Sequence, residues 1–144
     1  MKCVLDASVS LTWLLRDAGA KADAYAFNVL AQIGSLGTEI HVPAIWGLEV
    51  ANVIARAESG DMVTQAQSEA FLEMLAAAPI QVDAETAARS LSETLQLARR
   101  YRLSAYDASY LELALRCGLP LATLDVGLQR AASKAGVKLL KAAA

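Results

Sequence analysis

Histidine, cysteine and proline are scarce in this chain: one, two and three residues among 144. A lone histidine, His41, and two isolated cysteines, Cys3 and Cys117, cannot supply the nitrogen–sulfur ligand set of a usual zinc site. No C-x-x-C spacing or disulfide framework exists, so both thiols, each in an apolar context, are expected buried and reduced. His41 lies in a strand of alternating character, where a structural role fits better than a catalytic one. Gly34-Ser35-Leu36-Gly37 lacks the lysine and the spacing of a phosphate-binding loop. The longest run without a charge, Ala24 to Thr38, contains Asn28, Gln32 and Ser35 and falls short of the ~20 apolar residues of a membrane span. Asp6 interrupts the opening apolar run, which argues against a signal peptide and makes the cytoplasm the expected location. Neither charge dominates: 13 basic and 15 acidic residues leave a net −2. That balance argues against a protein that coats DNA. The one basic cluster, Arg99, Arg100 and Arg102, is explained by a helix C-terminus at least as well as by phosphate binding.

What is present is apolar and helix-forming. Hydrophobic residues make up 56% of the chain and aromatics only 6%, with alanine and leucine prominent. The length suits one domain, 1–144, and no repeat, linker or boundary divides it. The apolar excess hints at an association surface. Lys2–Leu5, Glu39–Val42, Ile80–Val82, Leu119–Leu124 and Val137–Leu140 read as short strands. Between them fall helices, beginning with one capped by Ser8 or Ser10 and one from Ala22 with Ala26, Val29, Leu30 and Ile33 on one face. A helix over Ala44–Glu58 is expected to turn Ile45, Leu48, Val53 and Ala55 inward. Thr64 and Gln67 have capping-box spacing ahead of a helix that Pro79 stops. Asp83 is expected to cap a helix with Ala87, Leu91, Leu95 and Ala98 on its core side. A further helix, Leu103–Cys117, should bury Ala108, Leu111 and Leu115 before Gly118 ends it. A last helix, Val126–Ala135, is closed by Gly136, and the Lys-Ala tail is expected to fray. Trp13 and Trp46 are expected in the core or at an interface. Strands alternating with helices, without tight hairpins, indicate an α/β fold: a parallel sheet with helices on both faces, in three layers.

Four acids stand where such a fold places chemistry. Asp6 and Asp125 each follow an apolar strand, and the C-terminal ends of parallel strands share one edge. Glu49 lies near the start of the helix after the second strand. Asp107 lies in the first turn of the helix leading into the fourth, and its placement at the same edge is an inference rather than a reading of spacing. Each has an ordinary explanation: Asp6 and Asp125 as helix caps, Asp107 as half of a Ser104-x-x-Asp107 capping box, Glu49 as a charge on a solvated face. Together, four carboxylates would repel one another and raise their pKa values unless a hard cation joined them, and an all-oxygen site suits Mg²⁺ or Mn²⁺. Asn52 is one turn beyond Glu49, Ser8 is two residues after Asp6, and Thr123 is two before Asp125. These three are candidate supporting groups: Asn52 points the same way as Glu49, and the two hydroxyls could orient a carboxylate or bind a metal-bound water.

The segments VLDASV around Asp6, PAIWGLEVANVI around Glu49, LSAYDASYLELA around Asp107 and LPLATLD ending at Asp125 resemble the PIN-domain family, and within it the VapC-type toxins of bacterial toxin–antitoxin pairs. The resemblance spans nearly the whole chain. It implies a five-stranded parallel sheet flanked by helices and Mg²⁺- or Mn²⁺-dependent cleavage of RNA phosphodiesters by an activated water. It carries metal binding and catalysis onto Asp6, Glu49, Asp107 and Asp125, with Ser8, Asn52 and Thr123 in support. Asp125 or Glu49 is the acid expected to hold or deprotonate the water. It further implies a homodimer and a cognate antitoxin that covers or distorts the site. Two other readings stay open: a catalytically silent PIN-like interaction module, and a phosphatase-like hydrolase on a similar sheet. The latter usually needs a strand-end lysine, whereas Lys138 falls in mid-strand. The sequence names neither the RNA, the antitoxin nor the number of metals.

Overall fold

The computed structural model describes residues 1–141; the tail expected to fray ends in 142–144, outside them. Four parallel strands form one sheet in the order β3-β2-β1-β4: β1 Lys2–Leu5, β2 Glu39–Val42, β3 Ile80–Val82 and β4 Leu121–Ala122. The first three have the bounds expected from sequence. Cys3, Val4 and Leu5 of the inner strand β1 are fully buried, as a strand covered on both faces requires.

β4 is shorter than expected, for two local reasons. Pro120 has no N–H to give the ladder, and only its carbonyl takes part, accepting from Val4 N at 2.9 Å. Past Ala122 the backbone turns to side chains, with Leu124 N donating to Ser8 Oγ and Asp125 N to Thr123 Oγ1, both at 3.0 Å. This shortening corrects the five-stranded expectation: the sheet has four strands. Val137–Leu140 adds a single parallel bridge, Leu121 to Leu139, closed by Leu121 N to Lys138 O at 2.9 Å and Leu140 N to Leu121 O at 2.8 Å. A two-residue β4 offers it nothing more to pair with.

The strand order positions the chemistry. The chain runs outward from β1 through β2 to β3, then crosses back to lay β4 on the other side of β1. The direction therefore reverses between β1 and β4, and the crevice beyond the strand ends at such a reversal is where open α/β sheets bind ligands. Asp6 follows β1 there, its N–H still in the ladder to Ala122 O at 2.9 Å, and Asp125 emerges three residues after β4.

Two groups of helices flank the sheet. α1 (Ala7–Leu15) packs on α2 (Ala20–Ile33), α3 (Ile45–Ser59) and α4 (Gln65–Ala77); α7 (Ala105–Cys117) packs on β1, β4, α6 (Leu95–Tyr101) and α8 (Val126–Ala135). Where capping signals are local, the bounds are as expected. Thr64 and Gln67 form the reciprocal capping box at α4, and Gly136 closes α8 in the left-handed conformation. Trp13 and Trp46 are core residues, their indole N–H groups donating to Ala26 O at 2.7 Å and Ser10 Oγ at 3.1 Å.

Several expected faces are wrong. α3 buries Trp46, Val50, Ile54 and Ala57, a stripe at true helical spacing, and leaves Leu48 69% exposed. The helix expected after Asp83 is broken into α5 (Thr86–Arg89), a π-helical turn Ser90–Thr94 and α6. The wide turn shifts the register, so Ala87 and Leu91 face solvent while Thr94 is buried. Asp83 makes no standard cap; its carboxylate accepts from the Thr86 hydroxyl at 2.8 Å and pairs with Arg116 at 2.7 Å. Ala108 and Leu111 of α7 are buried as expected, but Leu115 is exposed, lining a cavity of about 660 Å³ shared with Leu97, Arg89 and Arg116. Cys3 is buried; Cys117, at the exposed end of α7, is not.

Candidate active site

Asp6 occupies the N-cap position of α1, yet its side chain does not cap: the backbone is extended and no helix N–H reaches it as a side-chain cap bond. The carboxylate is used elsewhere. It is 5% exposed, and its Oδ2 accepts from Ser8 Oγ and from Thr123 Oγ1, both at 2.7 Å. Each hydroxyl has one proton and gives it to Asp6, while its lone pairs accept the N–H of Leu124 or Asp125. The 3.5 Å approach of Ser8 Oγ to Thr123 Oγ1 is then a by-product of sharing one oxygen, since no proton is left for it. Two hydroxyls thus tie the end of β1 to the end of β4, and Asp6 Oδ1 takes no side-chain hydrogen bond among the described residues.

The other three acids are held similarly. Asp125 does cap, its Oδ1 accepting from Leu128 N at 2.7 Å. A side chain at residue 127 would start 3.3 Å from that oxygen, so Gly127 keeps the approach open. Glu49, in the second turn of α3, is half-buried, and its Oε1 accepts from Tyr110 Oη at 2.6 Å. Asp107 stands in the first turn of α7, where its N–H donates to Ser104 Oγ at 3.0 Å. Half of the expected capping box therefore forms, and the Ser104 side chain also lies against the Asp107 carboxylate.

Electrostatics bring the four together. Burial raises the carboxyl pKa of Asp6, the two hydroxyls oppose that, and the charge of Asp125 raises it further. Glu49 is raised by burial, relieved by the Tyr110 bond, and raised again by Asp6 and Asp107. Asp107 is pushed up to about 6 by burial and by the charges of Asp125 and Asp6, with Ser104 opposing. The inferred placement of Asp107 at the Asp6 edge therefore agrees with the structure. Among the described residues, none of the four forms a salt bridge. Nor do any three acid, histidine or cysteine side chains stand close enough, as positioned, to enclose one ion. The donor chemistry fits a hard divalent cation even so. It is all oxygen, it is uncompensated from within, and each acid whose bonds are resolved has one oxygen fixed and one available.

Ser8 and Thr123 lie where the sequence suggested, bonded to Asp6. Asn52 is not brought in: it is exposed on α3 and makes no hydrogen bond with the four acids. One participant was missed. Tyr110 lies three residues after Asp107, the same i, i+3 spacing that drew attention to Asn52, and applying it to Asp107 would have found it.

The PIN-domain family model matches residues 3–134. In fold the chain is similar to the crystal structure of PAE2754 from Pyrobaculum aerophilum, with a TM-score of 0.66 and 21% identity over 91% of this chain and 79% of that one. It is also similar to VapBC2 from Rickettsia felis bound to a DNA fragment from their promoter, with a TM-score of 0.65 and 12% identity over 97% of this chain and 98% of that one. At such identities the likeness is one of fold. No curated protein matches the chain in sequence.

Proposed function

The chain belongs to the PIN-domain family, and from that premise we propose that it is a Mg²⁺- or Mn²⁺-dependent ribonuclease, the toxin of a type II toxin–antitoxin pair. PIN domains are generally nucleases. One observation supports the finer reading: Asp6, Glu49, Asp107 and Asp125, from four elements, lie within electrostatic reach of one another near the β1–β4 reversal, and none forms a salt bridge among the described residues. We assign Asp6, Glu49, Asp107 and Asp125 as the residues that hold the ion. When bound, a divalent cation supplies Lewis acidity and neutralises charge developing on the phosphate.

The rest of the chemistry belongs to the chain. Ser8 and Thr123 fix Asp6 through Oδ2. Leu128 N fixes Asp125 through Oδ1, and Tyr110 fixes Glu49 through Oε1. A proton leaving the attacking water would pass to Asp125 or Glu49, to a carboxylate oxygen not engaged by the ion. In-line attack releases the 3′ oxygen, leaving 5′-phosphate and 3′-hydroxyl ends. Asn52, exposed on α3, remains a supporting candidate only by its spacing from Glu49.

The proposed partners are RNA, a cognate antitoxin and a second copy of the chain, in the cytoplasm, with one domain accounting for 1–144. Exposed Leu48, Leu91 and Tyr106 supply apolar surface of the kind that association covers, and the VapBC2 likeness supports the antitoxin. Among the described residues no helix is long and apolar enough to cross a membrane.

A second reading, a silent interaction module, is favoured by the absence of any three acids poised around one point. Titrating metal-free protein with Mn²⁺ and assaying RNA cleavage separates the two. The nuclease reading expects uptake and cleavage, both lost in Asp6→Asn; wild type that takes up no Mn²⁺ and cuts no RNA would establish the silent module instead.

A further inference from the structure

We propose that Tyr110 is a positioning residue of this site: its hydroxyl locks the Glu49 carboxylate by one oxygen so that Glu49 presents the other, Oε2, to the cation. The inference rests on the metal-site reading above and adds a residue to it. Tyr110 is completely buried, and a buried phenol hydroxyl needs a partner. Its partner is Glu49 Oε1 at 2.6 Å, 61 residues away in the chain, a short bond of the charge-assisted kind. The aromatic ring has only two side-chain torsions and is buried in the hydrophobic core. The glutamate has three torsions and is half-exposed, so the rigid partner sets the flexible one.

The Tyr110 hydroxyl has one proton and gives it to Glu49 Oε1, so its part in the site is to donate. It comes from the helix that carries Asp107, one turn further on, and reaches the helix that carries Glu49. The bond therefore fixes the spacing of α3 and α7 at the point where each contributes an acid. Asp6 and Asp125 have the same design, one oxygen fixed by an internal donor and one left over. Phenylalanine in place of Tyr110 keeps the ring and removes the lock.

The test is Mn²⁺ binding to metal-free Tyr110→Phe, followed by calorimetry, beside the metal dependence of RNA cleavage. Loss of an outer group that orients a ligand weakens metal binding about 10–100-fold. The half-maximal Mn²⁺ concentration for cleavage should rise by a similar factor. A purely structural tyrosine would lower the melting temperature and leave both midpoints in place, and that result overturns the proposal. Should the variant fail to fold, the wild-type hydroxyl proton of Tyr110 gives a second measure by NMR. It should shift on adding diamagnetic Mg²⁺, and a resonance that stays put while Mg²⁺ binds also overturns the proposal. If wild type takes up no metal, the nuclease reading falls along with this one. If wild type binds and Tyr110→Phe binds equally well, only the role of Tyr110 falls.

Discussion

Two groups of four carboxylates in this molecule behave in opposite ways. Asp83, Glu85, Glu93 and Glu112 surround Arg89 and Arg116 on α5, the π-helical turn and α7. Arg116 alone reaches Asp83 at 2.7 Å, Glu112 at 2.8 Å and Glu85 at 3.2 Å. There, hydrogen bonds from Arg116 and Thr86 outweigh burial and hold the Asp83 carboxyl below its ordinary range, and the Ser92 hydroxyl does the same for Glu93. At the β1–β4 edge, Asp6, Glu49 and Asp107 are instead pushed upward by burial and by one another. The difference is the cation. One group has two arginines among its four acids and works as a clasp; the other has no cation of the chain beside it and is left open to a charge from outside. A cavity of about 660 Å³ lies beside the clasp, lined by Arg89, Glu93, Glu112 and Arg116 among others.

The sharpest way to break this contrast is to remove one acid from the open group. Asp6→Asn should abolish RNA cleavage and Mn²⁺ uptake while leaving metal-free stability unchanged or higher, because a buried uncompensated charge is removed. Full cleavage by that variant at matched purity would end the metal-site reading. In the clasp the same logic reverses. Arg116→Met leaves buried Glu112 with only the longer 3.6 Å contact to Arg89 and should lower stability by up to about 3–5 kcal/mol in urea unfolding, while Mn²⁺ binding to the folded fraction persists. Saturating metal gives the next effect. At 100 times Kd it should stabilise wild type by about 2.7 kcal/mol, stabilise Arg116→Met comparably, and leave Asp6→Asn where it was.

The clasp also shows what the sequence could not convey. β1, β2, β3, α4 and α8 were legible to within a residue because their signals are local: Pro43, Pro79, Gly136 and the Thr64–Gln67 box. The π-helical turn at Ser90–Thr94 leaves no comparable mark, and it turned the expected core residues Ala87 and Leu91 to solvent. At the site, Asp6 and Asp125 were legible because strand ends of a parallel sheet share an edge. Strand order was not, so the reversal between β1 and β4 that brings those two together came only from pairing. Tyr110 itself is marked by its spacing from Asp107; what stayed hidden is its partner, because Glu49 on α3 is a long-range contact. Asn52 is the converse, with the right spacing from Glu49 on a face that points away.

The two groups should also respond to pH with opposite signs. Asp107 folds with its pKa raised to about 6 from an ordinary 3.8, so the folded state binds protons more tightly than the unfolded one between those values. Metal-free protein should therefore gain stability from this group as pH falls from about 7 toward 4. Asp83 has its pKa lowered, so its contribution is present above its unfolded pKa and is lost as pH falls below about 4 through the folded value. Urea midpoints in a chelator from pH 8 to 3 should rise and then fall. Asp107→Asn should flatten the upper limb and leave the acid limb intact. A monotonic fall in wild type would refute the claim that the edge is uncompensated.

The smallest expected effect concerns cations rather than acids, and it carries the contrast to the surface. Arg89 and Arg116 are committed to ion pairs, whereas Arg99, Arg100 and Arg102 form none among the described residues. Arg102 is exposed and holds the left-handed conformation, with φ 54, at the end of α6. For a residue with a Cβ that conformation costs about 1 kcal/mol. It turns the chain directly into Ser104 and the first turn of α7, which places Arg102 five residues ahead of Asp107 in the chain. RNA binding measured in a chelator, where cleavage is silent, should weaken a few-fold in Arg102→Ala. The slope of log affinity against log salt should become shallower by about 1, the signature of one lost phosphate contact. Arg116→Met, whose arginine is already neutralised, should keep the wild-type slope. Equal slopes in all three proteins would mean that free and committed arginines contribute alike, and the distinction would then end at the acids.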